Sequence, residues 1–187
     1  MKVILLVIGM VVGLFLVSVM TGFYPVALVD GAPIFYRTWK KTEEAAKHFA
    51  NTQLVSRGSK PIDFSAPQNS ELLLAGRKDT LTSLIEDTIL HQGGKKLHKG
   101  FERLVAAKVS TALKDNEDIE QAAKLVYNLD LDDFKELVLL PQAQGEVVAE
   151  ILEKQNQDFE GWLREAKKQK RVFLMFVPFS WDGERIQ

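Results

Sequence analysis

Val26-Ala-Leu-Val-Asp-Gly-Ala-Pro-Ile-Phe-Tyr36 sets two short runs of β-formers on either side of Asp30-Gly31. Asp-Gly supplies the two residues of positive φ that a type I′ turn needs, so the stretch is predicted to be a hairpin. Pro33 has no N–H to give to a ladder, which puts the second strand at an edge. Near the other end, Val172-Phe-Leu-Met-Phe-Val177 is a continuous apolar run stopped by Pro178, and it reads as a buried strand. A lone strand must pair with something. The hairpin is the only other strand material, so both ends of the domain are expected to meet in one small sheet.

Between them the pattern is helical. Thr38 to about Leu54 carries Trp39, Ala45, Ala46 and Phe49 on an apolar side, and 56–69 is dense in Gly, Ser and Pro and reads as a flexible loop. From Ser70 the chain stays helical for most of its remaining length. Leu81, Leu84, Ile85, Thr88 and Ile89 form a core-facing stripe, and Gly93-Gly94 is expected to end or interrupt that helix. Phe101, Leu104, Val105, Val109 and Ala112 form a second stripe; Ile119, Ala122, Ala123 and Val126 form a third. Asp130 is predicted to cap a helix carrying Phe134, Leu137, Val138, Val147, Val148, Ile151 and Leu152, kinked at Pro141. Gln157-Asp158 opens a last helix with Phe159, Trp162, Leu163 and Ala166, closed by Lys167, Lys168, Lys170 and Arg171. The expected fold is mostly α, with a small sheet joining the N-terminal hairpin to the C-terminal strand.

Ahead of the hairpin, Val3 to Tyr24 contains no charge. Roughly 20 apolar residues cross the hydrocarbon core of a bilayer as a helix, and Phe23-Tyr24 falls where an interfacial aromatic anchor belongs. A cleaved signal peptide is the alternative; its apolar core is usually about 7–15 residues and ends in a small-x-small site, which Val17-Ser-Val-Met-Thr-Gly22 lacks. The reading is therefore an uncleaved single-pass anchor over 1–24 and one domain over 25–187. Lys2 on one side, against Arg37, Lys40 and Lys41 on the other, leaves the orientation open on charge alone.

The 187 residues include 24 basic and 25 acidic side chains and no cysteine. That balance gives nucleic acid no electrostatic footing, and the absence of cysteine excludes disulfides, thiolate metal sites and a cysteine nucleophile. No Gly-rich phosphate loop is present, so neither nucleotide nor cofactor is expected.

The order of elements resembles the SurA- and PrsA-type extracytoplasmic foldases. Val26-Ala-Leu-Val-Asp-Gly-Ala-Pro-Ile34 is similar to that family's Val-Ala-x-Val-Asn-Gly-x-x-Ile opening. The segment from Leu81 to Leu97 is similar to its Leu-x-x-Leu-Ile-x-x-x-Leu helix, and Leu129-Asp-Leu-Asp-Asp-Phe-Lys-Glu-Leu137 resembles the start of its long helix. The strand at Arg171–Val177 lies where such cores return to their first strand. The resemblance implies a SurA-like chaperone core on the extracytoplasmic side of a cell membrane. Two departures stand out. Many members carry a parvulin prolyl-isomerase module before the final strand, whereas Ile151 to Arg171 offers about 20 residues against the ~50 of an independent domain. Glycines at 93, 94 and 100 also double a break that the family usually has once.

Catalytic candidates are few. His91 lies one helical turn after Asp87 but has no matching nucleophile, and the pair reads as a solvated helix surface. His91 and His98 lack metal-ligand spacing, and Asp130, Asp132 and Asp133 lack the EF-hand glycine and glutamate. The basic stretch from Lys95 to Lys108 reads as a solvated face. Among the aromatics, Phe101, Tyr127, Phe159 and Trp162 are the candidates for holding a client. The expected function is an ATP-independent, membrane-anchored chaperone for unfolded exported polypeptides, with no isomerase module. An envelope scaffold for one partner, or a prolyl isomerase with an unrecognised site, are the alternatives.

Overall fold

In the computed structural model, which describes residues 21–187, Asp30 and Gly31 have φ of 50° and 87°, the paired positive values of a type I′ turn. They join β1 (Pro25–Val29) to β2 (Ala32–Phe35), with Val29 opposite Ala32 and Leu28 opposite Pro33. β3 (Val172–Leu174) pairs antiparallel with the other side of β1, giving the order β2-β1-β3. Pro33 thus lies on an edge strand, and the two ends of the domain close on each other as expected. β3 is shorter than the apolar run that encodes it, and it is not buried. The sheet packs on helices with one face only, so Val172 and Leu174 turn inward while Phe173 is 61% exposed.

Asp30 does more than turn the chain. Its carboxylate accepts from Lys170 Nζ at 2.8 Å and from the Arg171 backbone N–H at 3.1 Å, and these two donors hold its pKa below the usual carboxylate range. Lys170 also reaches Gln92, whose side-chain amide donates to the Val29 carbonyl at 2.9 Å. The hairpin tip therefore fastens the end of the last helix to the start of β3.

The helices are α1 (Tyr36–Ser56), α2 (Ser70–Leu97), α3 (Phe101–Lys114), α4 (Ile119–Ala122), α5 (Leu131–Phe134), α6 (Leu140–Lys154) and α7 (Phe159–Lys168). Asp130 and Asp158 cap α5 and α7, accepting from the N–H groups of Asp133 at 2.8 Å and Gly161 at 2.6 Å. Wide π-helical turns follow α4 (Ala123–Tyr127) and α5 (Lys135–Leu139). Where the kink at Pro141 is expected, the helix carries the second of these wide turns. Pro141 has no N–H to donate to the Leu137 carbonyl, and its ring would clash with that carbonyl in a regular helix; the wide turn lies just before it.

Gly93-Gly94 neither ends nor interrupts α2, which runs on to Leu97. Packing overrides the breaker signal. A Cβ on Gly93 would meet the Trp162 ring at 2.6 Å, and one on Gly94 would enter the ring of Phe101. Two rings lie where side chains would otherwise stand.

One large apolar cluster joins the sheet to α2, α3, α6 and α7, centred on Val26, Val29, Leu81, Ile85, Phe101 and Val148. Ile186, near the C-terminus, is 4% exposed within it. Its N–H donates to Thr82 Oγ1, and its strand-like bridge to Trp181 closes a small turn capped by Asp182. A smaller cluster holds Ala45, Ala123, Leu129, Phe134 and Leu139. Among the described residues no helix is long and apolar enough to cross a membrane; the anchor expected over 1–24 lies almost wholly outside them.

Candidate functional site

A wide cleft and a smaller apolar trough lie along α1. Ile62 and Phe64 punctuate an otherwise polar loop, and the loop folds back because Asn51 of α1 grips Ile62 from both sides. Asn51 Oδ1 accepts the Ile62 N–H at 2.7 Å, and its amide donates to the Ile62 carbonyl at 3.1 Å. The segment expected to be a flexible loop is thus fastened at its middle. α2 then begins with Leu72-Leu73-Leu74. At about 100° per residue, three consecutive side chains cannot share one face, and Leu72 and Leu74 remain 48% and 44% exposed.

The result is a mostly apolar trough of about 230 Å³ with Ala46, Ala50, Ile62, Phe64, Leu72 and Leu73 among its walls, beside Glu43, Lys47, Asp79 and Thr80. It adjoins a wider cleft of about 650 Å³, with Lys47, Phe64 and Leu73 common to both. On the wider side stand Tyr127, His48 and the Lys41–Asp133 ion pair at 2.6 Å. His48 Nε2 lies 3.0 Å from the Leu125 carbonyl. Phe49, expected on the core side of α1, is 37% exposed and stacks on Tyr127 at 5.1 Å between centroids. Ala46, expected beside it, also faces out.

A polar lock joins α1 to α2 at one end of the trough. Glu43, 3% exposed, bonds Lys47 at 2.5 Å and Arg77 at 3.2 Å. Trp39 Nε1 lies 3.1 Å from both the Arg77 carbonyl and Thr80 Oγ1. These contacts pin α2 to α1 at the point where α2 enters the core, leaving its first turns to form a lip.

A second cleft, about 390 Å³, opens between the β2 edge and the wide turn before α6. Pro33, Phe35, Leu84, Asp87, His91, Glu136, Leu137 and Gln144 are among its walls. Burial, with Glu86 adding like charge, raises the Asp87 carboxyl to about 7. Asp87 and His91 are not the solvated surface pair expected from their spacing. His91 Nδ1 lies 3.3 Å from Gln144 Nε2, and its ring meets Phe101 edge-on. A perturbed acid in a cleft is a functional-site candidate; the hydroxyls among the cleft's walls are those of Thr38 and Thr88, and Thr88 Oγ1 donates to the Leu84 carbonyl at 2.8 Å.

The four aromatics expected to hold clients are dispersed. Phe101 is 1% exposed and belongs to the core, where the missing side chain of Gly94 makes room for its ring; it presents no surface to a client. Phe159 and Trp162 pack half-buried against the same core. Tyr127 alone lines a cleft. The trough residues Ile62, Phe64, Leu72 and Leu73 were not anticipated, and their signal is an unperiodic leucine run after a loop with two isolated large apolar residues.

The remaining charges behave structurally. Asp130 caps, Asp133 pairs with Lys41, and Lys95 and Lys108 pair with Glu102 and with Glu146 and Glu150. Among the described residues no group of three or more His, Cys, Asp or Glu is placed to hold a metal ion. Compared with known proteins, the chain matches no family model, no curated protein and no solved structure.

Proposed function

We propose that this protein is an ATP-independent chaperone of the SurA-like class, anchored in a cell membrane by residues 1–24 with its domain on the extracytoplasmic side. Clients are unfolded segments of exported polypeptides. They bind by burying apolar side chains in the trough between α1, the 57–69 loop and the lip of α2. The observation that carries this reading is the trough's lining: apolar side chains, Leu72 among them nearly half exposed, between a loop that Asn51 fastens to α1 and a helix that Glu43 fastens to it. Concave, mostly apolar openings beside a few polar groups are the usual form of binding sites.

The topology supports the class. The hairpin and final strand close on each other around a helical body, as the resemblance implies, and α7 alone occupies the chain between α6 and β3. Recognition in such a trough is sequence-tolerant. Each square ångström of apolar surface removed from water contributes roughly 25 cal/mol whatever residue supplies it, and release needs only competition from the client's own folding. Lys41, His48 and Asp133 line the adjoining wider cleft, where Lys41 and Asp133 pair with each other and His48 meets the Leu125 carbonyl.

The test uses the full chain in lipid nanodiscs. It is expected to delay aggregation of several unrelated heat-unfolded clients at near-stoichiometric amounts without nucleotide, and Leu72→Ser is expected to weaken that protection. Stoichiometric capture of one partner, with no protection of the others, would replace the chaperone with a scaffold. Acceleration of proline-limited refolding beyond its spontaneous tens of seconds would make it an isomerase.

A further inference from the structure

A different surface remains uncovered, on the outer side of the sheet. Leu28 stands between Pro33 on β2 and Phe173 on β3 by register, and directly paired residues point to one face. Phe35, two residues beyond Pro33, shares that face. None of the three strands contains a charged residue. Phe173 is 61% exposed, and Phe176 just beyond the strand is 73% exposed. Phe176 also has φ of 59°, an uncommon conformation for a bulky aromatic. Its ring meets Tyr24 edge-on at 5.9 Å.

The chain outside the described structure ends at the rim of this face. The uncharged run from Val3 to Met20 leads into Gly22, which is buried and whose carbonyl accepts the Arg37 N–H at 3.0 Å. Phe23 follows at once, edge-on to Phe35 at 6.1 Å and beneath the Arg37 guanidinium at 5.4 Å. Tyr24 is fixed by its carbonyl to the Tyr36 N–H and by stacking on Tyr36. No spacer separates the apolar run from the fold. Arg37 and Arg171, both exposed, flank the face, the sign that anionic headgroups attract.

We infer that the outer face of the sheet, with Phe173 and Phe176, lies on the lipid headgroup layer, so that the domain is held flat on the bilayer rather than swinging from its anchor. The inference rests on the proposed membrane anchor and not on client binding. The amphipathic ring of Tyr24, edge-on to Phe176, is of the kind enriched at that layer, and the apolar rings of Phe173 and Phe176 gain by leaving water.

The chain has no cysteine, so single labelling sites are clean. Full-length Phe173→Cys, Pro33→Cys and Leu125→Cys chains, carrying an environment-sensitive fluorophore, are reconstituted in vesicles containing headgroup-nitroxide lipid and then floated. Leu125 is the control, 61% exposed in the wide turn Ala123–Tyr127, which packs on α1, α4 and α5. The expected result is co-flotation of all three, with blue-shifted and strongly quenched emission at 173 and 33 and little quenching at 125. Adding Phe173→Asp to the Pro33→Cys chain is expected to remove the quenching, and Phe173→Leu to restore it. Co-flotation with unquenched, water-exposed labels at 173 and 33 would overturn the inference and leave the anchor standing. Blue-shifted but unquenched labels in floating chains would overturn it in favour of a protein occupant, whether the chain's own first residues, a second copy or a client. Failure to float would remove the anchor and the inference together.

Discussion

Helix α2 is one uninterrupted rod whose two halves meet different surroundings. From Thr80 to Gly94 it packs against the sheet, α3, α6 and α7, and every buried residue of the helix lies in that span. Before Thr80 it has Leu72, Leu73 and Leu74 and buries none of them. Leucine content therefore says nothing about which half is core. What differs is phase: Leu81, Ile85 and Ile89 repeat on one face, while three consecutive leucines fan around the axis. The first arrangement can be satisfied by one packed neighbour; the second leaves apolar surface over, and here that surface edges the trough. The periodic half holds the fold together, and the unperiodic half is available for binding.

If that division is right, damage on the closed side should be structural. The largest effect is expected from deleting 170–187, which removes β3, the Lys170 clasp and buried Ile186. Each large apolar side chain contributes roughly 1.5–3 kcal/mol when fully buried, against a total of about 5–15 kcal/mol for a domain. The truncated chain is expected to show no cooperative melt by circular dichroism; a near-native melt would show that the C-terminal segment is an appendage.

Adjacent glycines on the same helix sharpen the comparison. Gly94→Ala forces a methyl into the fully enclosed Phe101 ring and is expected to cost about 1–3 kcal/mol or more. Gly93→Ala meets Trp162, which is half-exposed and free to shift outward, so a smaller loss is expected. Equal denaturation midpoints for the two variants would mean that the rings do not hold α2 through its glycines.

Asp87, on the wall of the second cleft, gives a smaller effect with a defined sign. Its folded pKa of about 7 lies above the ordinary 3.8 of an aspartate, so between those values the folded state retains a proton that the unfolded state has released. Stability must therefore fall as pH rises from about 4 to about 7 and level off above it. Asp87→Asn is expected to raise the melting temperature at pH 8 and to leave it nearly unchanged at pH 4. An equal shift at both pH values would show that burial does not perturb this carboxyl.

Features set by a few neighbouring residues were legible in the sequence. The Asp30-Gly31 turn, the edge position of Pro33 and the caps at Asp130 and Asp158 each depend on local backbone chemistry. The meeting of β1 with β3 followed from a strand's need for a partner. Where distant packing decides, local signals misled. Gly93-Gly94 signals a break until the rings of Phe101 and Trp162 are placed beside it. Phe101 looked available for clients for the same reason, since nothing local shows that Gly94 leaves a space for it. The trough was illegible because its walls come together only when Asn51 draws Ile62 back, a contact between residues on either side of a turn with no periodicity to announce it.

The smallest expected change in stability belongs to the trough and carries the largest expected change in function. Leu72 is half in solvent, so Leu72→Ser should alter stability by no more than about 0.5 kcal/mol. The direct measurement is light scattering of a heat-unfolded client with the full chain in nanodiscs and no nucleotide, comparing wild type with Leu72→Ser and Phe64→Ser at matched melting temperature. Delayed aggregation with wild type and its loss in both variants is the predicted result. Undiminished protection by both variants would contradict the trough as the client site, and no protection by the wild type would contradict the chaperone itself.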